Sequence, residues 1–436
     1  MKRIHFIGIG GIGVSALAKY YLAQGAEVSG SDLTHSEITA DLAARGGRII
    51  LGAHSSFNIP QGTDRVIYTA ATPKTNLELK EAKRRKIPTQ TYAEAVGDLT
   101  RQFKTITISG SHGKSTTTAM IALVLEDGWC DPTVIIGTKM PEYDGSNFRS
   151  GRGGYLVLEA DEWNKSFLHY SPEIAVVTNI DAEHLDTYKT VAGVEKTFAE
   201  YLGKVPAHGV IIANADNERT RRVAKKFGAR VVWCSTDSAD GALLKTILKV
   251  PGAHNVANAL AAQAVGRTLG IPETAILNAL SRFRGTWRRF EFKGMLNDGF
   301  LFNDYGHHPR EITATLQAAR ERFPLRRIWC VFQPHQYQRL KYLWEDFLGA
   351  FDLADRVCLL PVYDVAGRET KTAKNSVNSE KLAWALAARG KRVSHAASFD
   401  DAAVLLRAEV RKGDAVLLMG AGDIYHLADD LTSKPE

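Results

Sequence analysis

Residues 3–24 read RIHFIGIGGIGVSALAKYYLAQ, and this stretch sets the fold class. An apolar run over 3–9 passes into glycines, and residues 14–24 then place apolar side chains at helical spacing. Strand, glycine turn and helix in that order open a βα unit. A short strand over 27–31 ends at Asp32, and another strand (65–69) and helix (76–86) follow. Such alternation implies a parallel sheet with helices on its faces. Gly8, Gly10, Gly11 and Gly13 satisfy G-x-G-x-x-G, with Asp32 about twenty residues further on. Glycines let backbone amides approach a pyrophosphate, and the helix N-terminus adds partial positive charge. A nicotinamide dinucleotide is one reading, but any nucleotide diphosphate fits the same physics. The bland alternative is that the glycines serve only close helix–strand packing.

A second loop of a different kind follows. Residues 104–109 form an apolar strand running into Gly110-Ser111-His112-Gly113-Lys114-Ser115, and Thr116 to Thr118 begin a helix. The first glycine of the common GxxxxGK[ST] form is absent, because position 108 is Ile. In the remaining core, Lys114 neutralises terminal phosphates and the Ser115 hydroxyl suits Mg²⁺. Two acid clusters come next. The strand over 155–159 ends in Glu159, Asp161 and Glu162, and the strand over 174–178 leads into Asp181, Glu183, His184 and Asp186. Ligands of open α/β sheets sit beyond the carboxyl ends of the strands. Lys114, Glu159 and His184 are therefore expected to converge on one Mg-nucleotide; the alternative is a pair of ordinary polar loops.

The bulk properties agree with a multidomain soluble protein. The chain has 436 residues, 44% hydrophobic and 24% charged, with a formal net charge of +7. That length calls for two or three domains. Boundaries fall near 104 and 290, giving segments 1–103, 104–289 and 290–436, the last with apolar strands over 328–332, 357–360 and 415–419. Only 139–154 and 365–376 look unstructured. Cys130, Cys234, Cys330 and Cys358 have no metal-type spacing and suit a reducing compartment. The glycines at 8–13 break the opening apolar run, so it is not expected to be a signal peptide. No stretch has the ~18 apolar residues of a membrane span. A cytoplasmic protein is expected. Its modest positive charge fits phosphorylated small molecules, with no nucleic acid required. The basic run at 80–86 contains Glu81 and reads as a solvated helix end.

Taken together, the motifs resemble the Mur ligase family nearly end to end. They are HFIGIGGIG (5–13), GSHGKSTT (110–117), EADE (159–162), TNIDAEHLDTY (178–188) and PGAHNVANALAA (251–262). RRFE (288–291), NDYGHHPREI (303–312), QPHQYQR (333–339) and MGAGDI (419–424) continue the series. The resemblance implies three α/β domains: Rossmann-like, central P-loop ATPase-like, and Rossmann-like again. It implies an ATP- and Mg²⁺-dependent ligase that adds L-alanine to the carboxylate of UDP-N-acetylmuramate in peptidoglycan precursor synthesis, acting as a monomer or weak dimer. Gly8, Gly10, Gly11, Gly13 and Asp32 would take the UDP-sugar. Gly110 to Thr116 would take ATP, with Asn255 and Asn258 near the adenine. Ser115, Glu159 and His184 would hold Mg²⁺. Arg289 and Asp304 would meet the nucleotide, and His308, Tyr337 and Arg339 the amino acid; Lys114, His184, Arg289 and Asp304 would act in catalysis.

This sequence departs from the family pattern at Ser111 and Ser115, which keep the hydroxyl of the usual Thr. It departs again at Trp163-Asn164, and at Gln336, where the family places Arg. Some relatives carry a carbamylated lysine; Lys189 and Lys196 lie nearby and neither matches that position. Two rival readings remain: a recycling ligase that joins a whole tripeptide to the same sugar nucleotide, and a nicotinamide-dependent oxidoreductase. The second leaves the Lys114 loop and both acid clusters without a use.

Overall fold

The computed structural model describes residues 1–183, 185–364 and 371–432. Three sheets follow one another along the chain. The first has five parallel strands in the spatial order Arg48–Leu51, Glu27–Asp32, Arg3–Ile7, Arg65–Tyr68, Thr89–Thr91. Strand order reverses around Arg3–Ile7, and the first glycine loop leaves from its carboxyl end into the helix Ile12–Ala23. That is the switch point at which such sheets bind ligands.

The second sheet has seven strands, ordered Val231–Cys234, Val210–Asn214, Ile174–Val177, Lys104–Ser109, Tyr155–Glu159, Thr133–Met140, Ser146–Arg149. All are parallel except the last, an antiparallel edge strand. Lys104–Ser109 lies between the strands that carry the two acid clusters. The following helix, Lys114–Asp127, is buried along almost its whole length. Ile174–Val177 is buried at every residue, which is why it reads as an unbroken apolar run rather than an alternation.

The third sheet has six strands, ordered Glu291–Leu296, Gly299–Asp304, Ala415–Met419, Ile328–Phe332, Arg356–Leu359, Val393–His395. A hairpin makes its first pair antiparallel, and the other pairings are parallel.

Two segments expected to lack structure contain regular elements. Residues 139–154 are not unstructured: they finish the strand Thr133–Met140, turn through Pro141–Tyr143 and return as Ser146–Arg149. The returning strand, SNFR, is polar and glycine-flanked, so nothing in its pattern signals a strand. In the other segment Lys371–Ser376 is helical, while 365–370 lie outside the described residues.

The chain separates into two compact units, Met1–Leu248 with Val256–Phe283, and Lys249–Asn255 with Arg284–Glu436. The first two sheets fall in one unit because they share a continuous apolar core. Tyr20 on the helix Ile12–Ala23 packs edge-on against Phe103 and Phe148, with ring centroids 6.4 and 6.3 Å away. On the same helix the buried Lys19 donates to Asn147 Oδ1 at 2.8 Å and pairs with Asp41. Burial pulls the Lys19 ammonium below its usual range, against the opposing pull of Asp41. Among the described residues no helix is long and apolar enough to cross a membrane.

Candidate active site

The first glycine loop is shaped from below by the end of the strand Glu27–Asp32. The Ser31 carbonyl accepts from Gly8 N (2.9 Å) and Ile9 N (3.0 Å), and Asp32 Oδ2 accepts from Gly10 N at 2.8 Å. Gly13 has a steric reason to be glycine, because a Cβ there would lie 2.9 Å from the Tyr92 hydroxyl. Burial together with the Glu159 and Asp161 charges raises the Tyr92 phenol above its usual range, so it stays a neutral donor. Tyr92 thus lies against the first loop and within the electrostatic reach of acids on the second sheet. Its sequence context, TYAEA, carries no sign of this.

The second loop is fastened by the TNID segment. Asn179 accepts Ser111 N through its carbonyl (3.1 Å) and His112 N through Oδ1 (2.8 Å), while its Nδ2 returns a bond to the His112 carbonyl. Thr178 Oγ1 donates to the same carbonyl at 2.6 Å, and Asp181 N donates to Ser111 Oγ at 2.9 Å. Gly113 sits at φ +83°, and a Cβ there would meet Asn258 Oδ1 at 2.5 Å; both demands select glycine.

Lys114 Nζ donates to the Gly110 carbonyl at 2.6 Å and to both Glu162 carboxylate oxygens, at 3.0 and 3.2 Å. Burial alone would lower the Lys114 ammonium; Glu162, with Asp161, Glu183 and Glu159, overrides it and holds the group above its usual range. Burial pushes the Glu162 carboxyl up to about 7, against the pull of Lys114. Ser115 Oγ donates to Glu159 Oε1 at 3.0 Å, and Gly137 N donates to Glu159 Oε2 at 2.8 Å. Burial raises the Glu159 carboxyl as well.

Of the residues expected at this centre, Gly110 to Thr116, Glu159 and Asn258 are brought together. His184 lies outside the described residues. Among those described, no three His, Cys, Asp or Glu side chains group as a ready metal cage. Glu162 is the acid the sequence named without choosing, and Thr178 and Asn179 were passed over for the acids beside them. The Trp163-Asn164 departure sits on a kink, with Asn164 and Lys165 both left-handed at φ +53° and +58°. Asn tolerates that conformation better than most residues.

Asn255 belongs to the second compact unit, where its Nδ2 donates to the Pro251 carbonyl at 2.7 Å. In that unit Asp304 is buried and accepts from Phe290 N and Gly306 N at 2.9 and 2.8 Å. Burial raises its carboxyl, with Arg289 opposing. Arg289 lies over the Tyr305 ring at 5.1 Å and 3.8 Å from Glu311. His308 caps the helix Pro309–Arg322, its Nδ1 accepting from Arg310 N. The neighbouring His307, which sequence reasoning did not select, forms the ring cluster. It packs edge-on to His335 at 5.6 Å; His335 stacks on Tyr363 at 5.5 Å and meets Arg339 Nη1 at 3.1 Å. Burial, then Arg339, drives His307 well below the usual imidazole range, so it is neutral. Gln336 stands at the head of the helix Tyr337–Tyr342 with φ +70° and ψ 127°, a strained position for a residue with a side chain.

Comparison with known proteins bears on the whole length. Three family profiles match in order: the Mur ligase family catalytic domain over residues 3–104, the Mur ligase middle domain over 108–247, and the Mur ligase glutamate ligase domain over 288–422. The chain belongs to the Mur ligase family. Membership replaces the nicotinamide reading of the first loop. Among curated Mur ligases, the UDP-N-acetylmuramate–L-alanine ligase of Clostridium acetobutylicum is 40% identical, covering 99% of this chain and 98% of that protein. Among solved structures, the UDP-N-acetylmuramate–alanine ligase of Thermotoga maritima superposes with a TM-score of 0.82 at 29% identity, covering 99% of this chain and 98% of the other. A murein peptide ligase from Psychrobacter arcticus shares the fold, with a TM-score of 0.71 at 23% identity and the same coverage.

Proposed function

We propose that this protein joins L-alanine to the carboxylate of UDP-N-acetylmuramate at the expense of ATP, a step of peptidoglycan precursor synthesis. The observation that carries this is the pairing of two phosphate loops, at 8–13 and 110–115, in one compact unit of a chain 40% identical along its length to a ligase of that name. The amides at Gly8, Gly10, Gly11 and Gly13, with Asp32, hold the UDP-sugar. Gly110 to Thr116, Asn255 and Asn258 hold ATP, and Arg289 and Asp304 meet the nucleotide. His308, Tyr337 and Arg339 receive the amino acid. The domain limits that go with these roles are 1–103, 104–289 and 290–436. The protein works in the cytoplasm as a monomer or weak dimer.

A carboxylate oxygen of the muramoyl group attacks the γ-phosphorus of ATP, the bond to the β-phosphate oxygen breaks, and ADP leaves. The alanine amine then attacks the acyl carbon, loses a proton, and phosphate departs. Lys114 supports the first step once its ammonium turns from Glu162 to the terminal phosphates. The hydroxyl of Ser115 and the carboxylate of Glu159 share a 3.0 Å contact and form an all-oxygen donor pair suited to Mg²⁺, with His184 as a third ligand. Bound there, Mg²⁺ supplies charge neutralisation at the phosphates.

The test is ADP release from UDP-N-acetylmuramate and ATP with a panel of amino acids and peptides. L-Alanine should give the highest kcat/KM, with glycine and L-serine poorer, because one small group is worth only ~1–3 kcal/mol of discrimination. A higher value for the tripeptide overturns the assignment in favour of the recycling ligase.

A further inference from the structure

Beneath the first glycine loop lies a buried polar network. Glu78, on the helix Leu77–Arg84, is fully buried and collects four side-chain donors. They are His5 Nε2 at 2.9 Å, Ser31 Oγ at 2.8 Å, His54 Nδ1 at 2.7 Å and Asn58 Nδ2 at 2.9 Å. His5 Nδ1 also meets Ser29 Oγ at 2.9 Å. One carboxylate therefore ties together the central strand Arg3–Ile7, the end of the strand Glu27–Asp32, and the 54–58 segment beyond Arg48–Leu51.

A carboxylate in a domain core is costly unless every lone pair is met, and a leucine would pack there without that cost. Complete satisfaction turns the cost into rigidity, since a full network admits a single arrangement. What it holds is specific. Ser31 donates to Glu78 through its side chain and accepts Gly8 N and Ile9 N through its carbonyl, and the next residue, Asp32, accepts Gly10 N. The chain of contacts from Glu78 to the glycine-loop amides passes through one residue.

We propose that Glu78 is a positioning residue for the sugar-nucleotide diphosphate, holding the Gly8–Gly13 amides in register through Ser31. The inference rests on the reading of that loop as the UDP-sugar site. Glu78→Gln keeps the shape but presents an NH₂ group to two of the four donors. Its Kd for UDP-N-acetylmuramate should rise about tenfold or more, the usual scale for one mispaired buried polar group. The KM for ATP, and kcat at saturating sugar nucleotide, should stay within about twofold.

Calorimetric titration of the full chain with UDP-N-acetylmuramate, alongside steady-state rates, decides between outcomes. If the wild-type protein gives no binding signal, the sugar-nucleotide reading itself fails. If the wild type binds and folded Glu78→Gln binds equally well, or loses kcat and ATP affinity in proportion, the positioning role is overturned. Should Glu78→Gln not fold, Ser31→Ala carries the test. It removes the side chain that joins the network to the carbonyl supporting the loop, and it must weaken sugar-nucleotide binding by a few-fold with ATP KM unchanged; unaltered affinity overturns the proposal.

Discussion

The loop at 8–13 contains no cationic side chain, whereas the loop at 110–115 carries Lys114 inside it. The first is held by a carbonyl and a carboxylate that accept its amides, with a fully hydrogen-bonded glutamate underneath. The second is held by neutral amide and hydroxyl groups, Asn179 and Thr178, while its own charge is paired with Glu162. One loop offers fixed dipoles on a stiff support, the other an ammonium already paired with a carboxylate that phosphate must displace. The difference fits the tasks proposed for them: a bound diphosphate needs a constant cradle, and a phosphoryl group in transfer needs a charge it can draw to itself.

Three substitutions or conditions press on that contrast. Lys114→Ala has the largest expected effect, a loss of at least about a hundredfold in kcat with the fold intact. Steady-state ADP release measures it, and a rate above about a tenth of wild type would mean that the second loop, too, works by dipoles alone. Gly10→Val comes next. A Cβ there would lie 2.9 Å from Asp32 Oδ2 and 3.1 Å from the Thr39 methyl, so the Asp32 carboxylate that accepts Gly10 N, or the loop itself, must shift. UDP-N-acetylmuramate affinity should fall about tenfold, on the scale of one lost buried hydrogen bond, while ATP binding is unchanged. Equal losses for both ligands in titration would show that the loops are not independent.

The last effect is on stability in acid rather than on rate or affinity. Burial alone would raise the Glu78 carboxyl, but bonds from His5, His54, Asn58 and Ser31 hold it at about 2. A carboxyl depressed in the folded state contributes stability that is fully present above its unfolded pKa, near 4.5, and is lost as pH falls toward 2. On the order of 3 kcal/mol is at stake. Urea unfolding followed at about pH 5 and about pH 3 should show roughly half of that loss in the wild type and a much flatter response in Glu78→Gln; parallel slopes would remove the network from the account.

Both loops were legible because their signals are local: glycine spacing, a strand before, a helix after. The supports were not, because each joins residues far apart in the chain. Glu78 meets His5 across 73 positions and Lys19 meets Asn147 across 128. The choice between Glu159 and Glu162 as the partner of Lys114 was equally closed to sequence. Glu159 ends the strand and turns to Ser115, whereas Glu162, three residues later, reaches back to the ammonium. His307 and His308 differ by one position, and their roles separate only once the helix start at Pro309 is known. His is not among the usual N-cap residues, so nothing local in the sequence marked His308 for capping.

The hairpin formed by Thr133–Met140 and Ser146–Arg149 has a consequence for how such chains can be recombined. Asn147 takes the Lys19 ammonium and donates to Ser15 Oγ, so the first sheet's leading helix is completed by residues some 130 positions downstream. A chimaera spliced at the seam between the first two sheets would import a buried ammonium with Asp41 but without Asn147 and Ser146. Such an exchange is expected to keep its stability only when the hairpin travels with the helix, even though each sheet has a complete strand order of its own.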